Sequence, residues 1–180
     1  GIIDDNKSLI GTEVLGYEVI GDTTYINQLS QHKKIYGVIA IADGLVRKHI
    51  ANKLNKVQWV NLIHPSVVIS DYNIMGVGNI ICAGVLINPD FQMGNHSHIN
   101  IGSTFGHDVS IFDFVTVMPG SRISGNVTLK SNSMIGTGST IMQGLIIEEN
   151  VRLGAGTVVI KNTEPNYLYV GVPAKIKHKQ

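Results

Sequence analysis

Apolar residues recur along this chain with a period of six. Every sixth residue from Ile63 is apolar: Ile63, Ile69, Met75, Ile81, Ile87, Met93, Ile99, Phe105, Ile111, Val117, Ile123, Leu129, Ile135, Ile141, Ile147, Leu153 and Val159. With 43% of all residues hydrophobic, a run of that length in one phase is a chance event on the order of one in a million. Four residues after these positions the chain carries mostly small or β-branched residues, among them Val67, Val85, Ser97, Ser103, Val109, Val115, Ser121, Ser133, Ser139 and Thr157, with Gly and Asn crowded between. The pattern predicts a short flat strand followed by a tight bend, repeated. Three hexads make one triangular coil of about 18 residues in a parallel β-helix, so the run predicts between five and six coils. Each coil then buries its apolar residues against the coils above and below. An ordinary β-sandwich would instead show irregular loops with turn signals every ~8–12 residues.

The flanks read differently. "GIIDD" is a short apolar run ending in two carboxylates, "IYGVIAIAD" is a second buried strand, and "GLVRKHIANKLNKV" places Leu45, Val46, Ile50 and Leu54 at the spacing of an amphipathic helix. Strand, connector, strand and helix make a fragment of a parallel, Rossmann-like α/β sheet. Residues 1–60 are therefore expected to form a partial α/β domain, 61–162 the β-helix and 163–180 a C-terminal tail. Asp4, Asp5 and Asp43 fall at the C-terminal ends of strands, where ligands usually bind; the alternative for each is a solvated turn. The tail reads as a linker, a short extended piece set by Gly171 and Pro173, and a basic end in which Lys175, Lys177 and Lys179 alternate with Ile176 and His178.

Composition narrows the picture little. The net charge of +1 gives no reason to expect nucleic acid as a partner. The single cysteine, Cys82, excludes an internal disulfide, suits a reducing compartment and reads as a structural thiol. No charged-then-apolar leader and no long apolar run appears in the sequence, so the expectation is a cytoplasmic protein that neither spans nor binds a membrane.

Several segments together carry a family resemblance: "GIIDD", "HPSVVIS", "STFGHDVSIFDFVTVMPGSRISGNV", "IGTGSTIMQGLII", "VRLGAGTVVIKN" and "VGVPAK". The chain resembles the bacterial sugar O-acyltransferases, hexapeptide-repeat enzymes that include sialic acid O-acetyltransferases and UDP-amino-sugar N-acetyltransferases. The hexads alone are common to every such β-helix. "GHD" followed one coil later by "SGNV", with "GVPAK" closing the chain, is the specific part. The resemblance implies a left-handed coil, against the usual right-handed rule for parallel crossovers. It also implies acetyl-CoA as co-substrate with no metal, a sugar or nucleotide-sugar acceptor, and a homotrimer with active sites between subunits. Two departures stand out. Family members begin with a strand and a Gly-rich loop that help bind the acceptor, a segment expected before Gly1. Thr116 replaces a histidine that some members direct at the active site.

The chemistry centres on His107. Acetyl transfer needs a base to take the nucleophile's proton, and an imidazole titrates near neutral pH. Asp108 suits the role of holding the imidazole tautomer, provided the pair lies at a bend, because neighbours on a flat strand point to opposite faces. One coil beyond His107 lies Gly125, whose N–H would be unobstructed; the resemblance assigns it the thioester oxygen. The same column continues to Gln143 and Lys161. Coenzyme contacts are expected from Gly125, Gln143, Gly144, Ala155, Lys161, Pro173 and Lys175, with the lysines facing phosphates. "DFVTVMPG" leans toward a hydroxyl acceptor, although the same base serves an amine. His64 is expected to help join the domains. His96 and His98, two apart, would share a face if both lay on a strand, which raises a metal site.

Two other readings stay open on sequence alone. A γ-type carbonic anhydrase also uses a β-helix trimer, but His64, His96, His98 and His107 lack its ligand spacing, and a catalytic zinc needs three protein ligands. A non-catalytic scaffold would keep the His107 and Gly125 alignment idle.

Overall fold

The computed structural model describes residues 1–179. From Leu62 to Val159 the chain winds as a left-handed parallel β-helix of triangular section. Every strand is two residues long, and its second residue is the apolar hexad position. Face I stacks Leu62–Ile63, Ile80–Ile81, His98–Ile99, Thr116–Val117, Met134–Ile135 and Arg152–Leu153; face II stacks Leu86–Ile87, Thr104–Phe105, Arg122–Ile123, Thr140–Ile141 and Val158–Val159; face III stacks Ile74–Met75, Gln92–Met93, Ser110–Ile111, Thr128–Leu129 and Ile146–Ile147. Each strand pairs in parallel with the one a coil away, so His98 lies beside Thr116, Thr104 beside Arg122 and Ser110 beside Thr128.

The hexad residues from Ile81 to Val159 fill the prism, and Ile123, Ile135 and Ile141 are almost wholly buried. Ile63, with no coil beneath it, is 44% exposed. The small positions four residues later are buried as well. There the hydroxyls of Ser97, Ser121 and Ser139 donate to the carbonyls of Phe112, Gly136 and Gly154 in the next coil, so the corner carbonyls do not go unpaired. Each corner needs a left-handed residue. Glycine, asparagine and aspartate supply most of these, including Gly102, Gly120, Asn126, Asn132 and Asp108.

The last coil is capped rather than trailed by a loose tail. Tyr167–Val170 adds to face I beside Arg152–Leu153, and Lys175–Lys179 pairs antiparallel with it. Lys175, Lys177 and Lys179 are exposed on this outermost strand, where charge discourages another chain from adding to the sheet.

The N-terminal region departs from its expectation in three ways. Its strands form two small sheets: β1 (Ile2–Ile3), β2 (Glu13–Val14) and β3 (Tyr17–Gly21) in the order β1-β3-β2, and β4 (Tyr36–Gly37) paired with β5 (Gln58–Trp59). The run "IYGVIAIAD" is strand only at Tyr36–Gly37, because the residues after it cross face I of the β-helix. Helix α1 (Thr23–Leu29) follows β3, and α2 (Gly44–Lys53) follows the crossing segment. On α2, Leu45 and Val46 are exposed, whereas Arg47 is fully buried.

Arg47 explains that inversion. Its guanidinium donates to the carbonyls of Ile41, Ala42, His96, Phe114 and Val115 and to the Thr116 hydroxyl, at 2.7 to 3.0 Å. Burial lowers its pKa to about 10, so it stays charged at neutral pH. The start of α2 presses so closely on the coils that a Cβ on Gly44 would lie 2.4 Å from the Phe114 carbonyl oxygen. Trp59 meets His96 edge-on with centroids 5.0 Å apart, and His96 stacks on Phe114. These contacts join the two parts of the chain. His64 takes no part in them; it closes a local turn with Ser66.

Candidate active site

His107 and Asp108 sit at the corner between faces II and III, two and three residues after the buried Phe105. The bend allows what a flat strand forbids. Asp108 takes a left-handed conformation, φ 57°, and its Oδ2 lies 2.6 Å from His107 Nδ1. A carboxylate accepts hydrogen bonds, so Nδ1 donates to it, and in the neutral imidazole Nε2 then keeps its lone pair. Both side chains are exposed, at 60% and 57%. The Asn126 N–H donates to the His107 carbonyl and fixes the backbone from the coil above.

Gly125 stacks over the imidazole. A Cβ there would lie 2.7 Å from His107 Nε2, so the neighbour rather than the backbone excludes a larger residue. The Gly125 carbonyl accepts from Gly144 N–H at 3.0 Å, while the Gly125 N–H donates to no carbonyl among the described residues. Gly106 is a site residue that the sequence reading missed: a Cβ on it would fall 2.3 Å from the Gly125 nitrogen. The signal was present, since "FGHD" and "ISGN" are one coil apart and put two glycines in contact.

The coenzyme residues expected from sequence separate into groups. Gln143, Gly144 and Lys161 continue up the same corner. At its top, Lys161, Asn162, Tyr169, Pro173 and Lys175 line a groove of about 390 Å³. Three coils at ~4.8 Å each put Lys161 about 14 Å above His107. Ala155 does not belong to this column. It lies between Arg152–Leu153 and Val158–Val159, at the corner joining faces I and II.

The three aspartates also separate. Asp43 caps α2 through the N–H groups of Leu45 and Val46, and its other oxygen lies 3.3 Å from Arg152 Nη2. The Val46 N–H, with Arg152, holds its pKa below the usual range. Its carboxylate is thus committed to joining α2 to face I, which accounts for it without a substrate. Asp4 accepts from the Asn6 N–H in a local turn. Asp5, after β1, accepts from the backbone and hydroxyl of Thr23, and the backbone bond is the largest cause of its lowered pKa.

His96 and His98 do not share a face. His96 occupies a left-handed corner, φ 53°, between Trp59 and Phe114, while His98 lies on a face I strand. Among the described residues no three His, Cys, Asp or Glu side chains gather as metal ligands. His98 instead looks into a second cleft, of about 240 Å³, between Ala40 and Ala42 of the crossing segment and Ile80, Cys82, Asn100, Thr116 and Met118. Burial, with the charge of Arg47, lowers the His98 pKa to about 4. Thr116 faces this side, donating to the Ala42 carbonyl at 2.8 Å. In the triangular section, face I lies opposite the corner that carries His107.

The same architecture recurs in known proteins. Residues 1–54 match the family model of the PglD N-terminal domain. GDP-perosamine N-acetyltransferase of Escherichia coli O157:H7 is 33% identical over 129 residues, 71% of this chain, and the match spans only 58% of that relative's length. A histidine-to-asparagine variant of perosamine N-acetyltransferase from Caulobacter crescentus, solved in complex with CoA and GDP-perosamine, superposes with a TM-score of 0.89 at 32% identity, covering 94% of this chain and 82% of that one. The acetyltransferase domain of PglB from Neisseria gonorrhoeae FA1090, in complex with acetyl coenzyme A, gives 0.87 at 28% identity, with 97% and 84% covered. The chain belongs to the bacterial sugar acyltransferase family built on hexapeptide repeats. Among the described residues no helix is long and apolar enough to cross a membrane.

Proposed function

We propose that this protein is an acetyl-CoA-dependent acetyltransferase that acts on an amino group of a nucleotide-linked sugar. The observation that carries the reading is the corner at His107. A histidine oriented by a carboxylate leaves Nε2 free, and an N–H without a partner lies beside it with no side chain between. The relatives solved with CoA and a nucleotide sugar support both ligands. The N-acetyltransferases among them favour an amine over the hydroxyl suggested by "DFVTVMPG".

In this reading the sugar amine attacks the thioester carbonyl carbon while His107 Nε2 takes its proton. The Asp108 carboxylate stabilises the imidazolium, and Gly125 N–H binds the oxygen as negative charge develops. The C–S bond then breaks, the acetyl group stays on nitrogen, and the imidazolium returns its proton to the departing thiolate. The coenzyme lies along the corner past Gln143 and Gly144, its pantetheine arm covering the distance to the upper groove, where Lys161 and Lys175 face its phosphates. In this reading Asp4 and Asp5 contact the acceptor. A cytoplasmic setting follows from these substrates.

The assembly proposed is a homotrimer. The face I cleft and His107 lie on opposite sides of one prism, so an acceptor held against face I meets the base of a neighbouring chain. Incubation with acetyl-CoA and GDP-perosamine tests the function: thiol release should accompany a GDP-sugar heavier by one acetyl group. No thiol release above the rate without protein would reject it.

A further inference from the structure

The turn that carries His107 is gripped tightly from the coil above and loosely from the coil below. Above it, Gly106 N–H donates to the Ile123 carbonyl and Asn126 N–H to the His107 carbonyl, both at 2.8 Å. Below it, Asn88 N–H donates to the Phe105 carbonyl and Asp108 N–H to the Pro89 carbonyl, both at 3.2 Å. A side chain reinforces the looser side. Asn88 Nδ2 donates to the same Phe105 carbonyl at 3.0 Å, the one side-chain bond to the backbone of residues 105–108 among the described residues. We propose that Asn88 is a positioning residue for acetyl transfer, fixing through the Phe105 carbonyl the entry into the corner where His107 meets Asp108 and Gly125. The assignment rests on the reading of His107 as the base and adds a residue to that site.

The corner leaves little room for drift. His107 Nδ1 lies 2.6 Å from Asp108 Oδ2, and the direction of that carboxylate follows from a left-handed backbone at φ 57°. On the other side, a Cβ on Gly125 would lie 2.7 Å from Nε2, so the ring already fills the space under the glycine. A turn that rocks away from the coil below presses the ring toward Gly125 or draws Asp108 off Nδ1. Either change slows the reaction, because a misplacement of about 1 Å near the chemistry costs on the order of 10² in rate.

The repeat itself marks the position. Within it, asparagine follows the apolar hexad residue at only two places, Asn88 and Asn100. Asn100 makes the equivalent bond to the Val117 carbonyl, but beside a backbone bond of 2.9 Å. There the carboxamide adds to a tight pairing, whereas at Asn88 it supports a loose one. Asn88 is exposed, so its replacement leaves the core intact. The coenzyme residue Gln143 lies three coils above Pro89, beyond the reach of the change.

The test uses the whole chain with Asn88→Ala and Asn88→Gln. With acetyl-CoA and GDP-perosamine, Asn88→Ala should lower kcat about tenfold, the scale of one hydrogen bond, while the KM for acetyl-CoA and the thermal midpoint stay as in the wild type. Asn88→Gln keeps the carboxamide and should recover part of the loss. A second readout needs no acceptor: heteronuclear NMR of the imidazole, with His107→Ala assigning the signals, shows which ring nitrogen of the neutral form carries the proton. The wild type should hold it on Nδ1, and Asn88→Ala should shift it toward Nε2, with Asp108→Ala as the limit. An unmoved tautomer would overturn the proposal even beside a lower kcat, since the loss would then come from general packing. A kcat within twofold of the wild type would overturn it as well. A wild type that leaves GDP-perosamine unacetylated would overturn the acceptor reading instead, and the tautomer alone would then support or overturn the role of Asn88.

Discussion

The meeting of His107, Asp108 and Gly125 at one corner was legible in the sequence because the coil is its own ruler: residues one coil apart stack, and a left-handed corner brings neighbours together. Arg47, His98 and Gly106 were not, since their roles depend on what faces them. In sequence Arg47 is one charge on a helix, and only the coil carbonyls around it give it a role. Gly125→Ala tests the closest of these contacts. Gly125 has no left-handed φ to lose, so alanine should leave the thermal midpoint almost unchanged. Its methyl group would push the imidazole from its place, and kcat should fall at least ~10², comparable with disturbing an oxyanion donor. A kcat within twofold of the wild type would show that the stacked glycine is dispensable.

Elements were legible to the degree that their packing was periodic. The β-helix strands fall where the hexads put them, because each apolar residue meets the same kind of neighbour in every coil. The N-terminal region has no such repetition. "IYGVIAIAD" has strand composition, yet most of it lies across face I and bonds with Arg47 and Thr116 rather than with a neighbouring strand. Helix α2 buries Arg47 in place of Leu45 and Val46 for the same reason. Replacing Arg47 by methionine should therefore loosen the docking of this region by about 3 kcal/mol or more, since several buried carbonyls lose their donor. Trp59, the only tryptophan, reports on this contact through His96; its emission should shift at lower urea than in the wild type. A coincident urea midpoint would contradict the role given to Arg47.

His98 adds a pH dependence at the same interface. Its pKa falls from 6.5 in the unfolded chain to about 4 in the fold. Between those values the unfolded chain binds a proton that the folded chain refuses. Stability from this group is therefore complete above about pH 6.5 and is lost progressively as pH falls to about 4, by up to about 3 kcal/mol. Urea midpoints measured from pH 7 to pH 4 should fall more steeply for the wild type than for His98→Leu. Parallel slopes would mean that His98 titrates normally in the fold.

At the scale of the whole molecule, one chain carries both halves of the proposed site on opposite sides of its prism. Two chains, each defective in a different half, should then complement one another. His107→Ala protomers keep an intact cleft, and Ala40→Leu protomers keep an intact base. Mixed after joint refolding, they should show several times the activity of either parent, and sedimentation should give a trimer mass. Activity no greater than the average of the two parents would mean that cleft and base serve within one chain, or that the assembly is not formed.

The central claim is that His107 is the base for acetyl transfer, and His107→Ala measures it most directly. The rate of thiol release from acetyl-CoA with GDP-perosamine should fall by roughly 10² to 10⁴, while coenzyme binding and molecular mass remain those of the wild type. A variant that releases thiol at the wild-type rate would contradict the account.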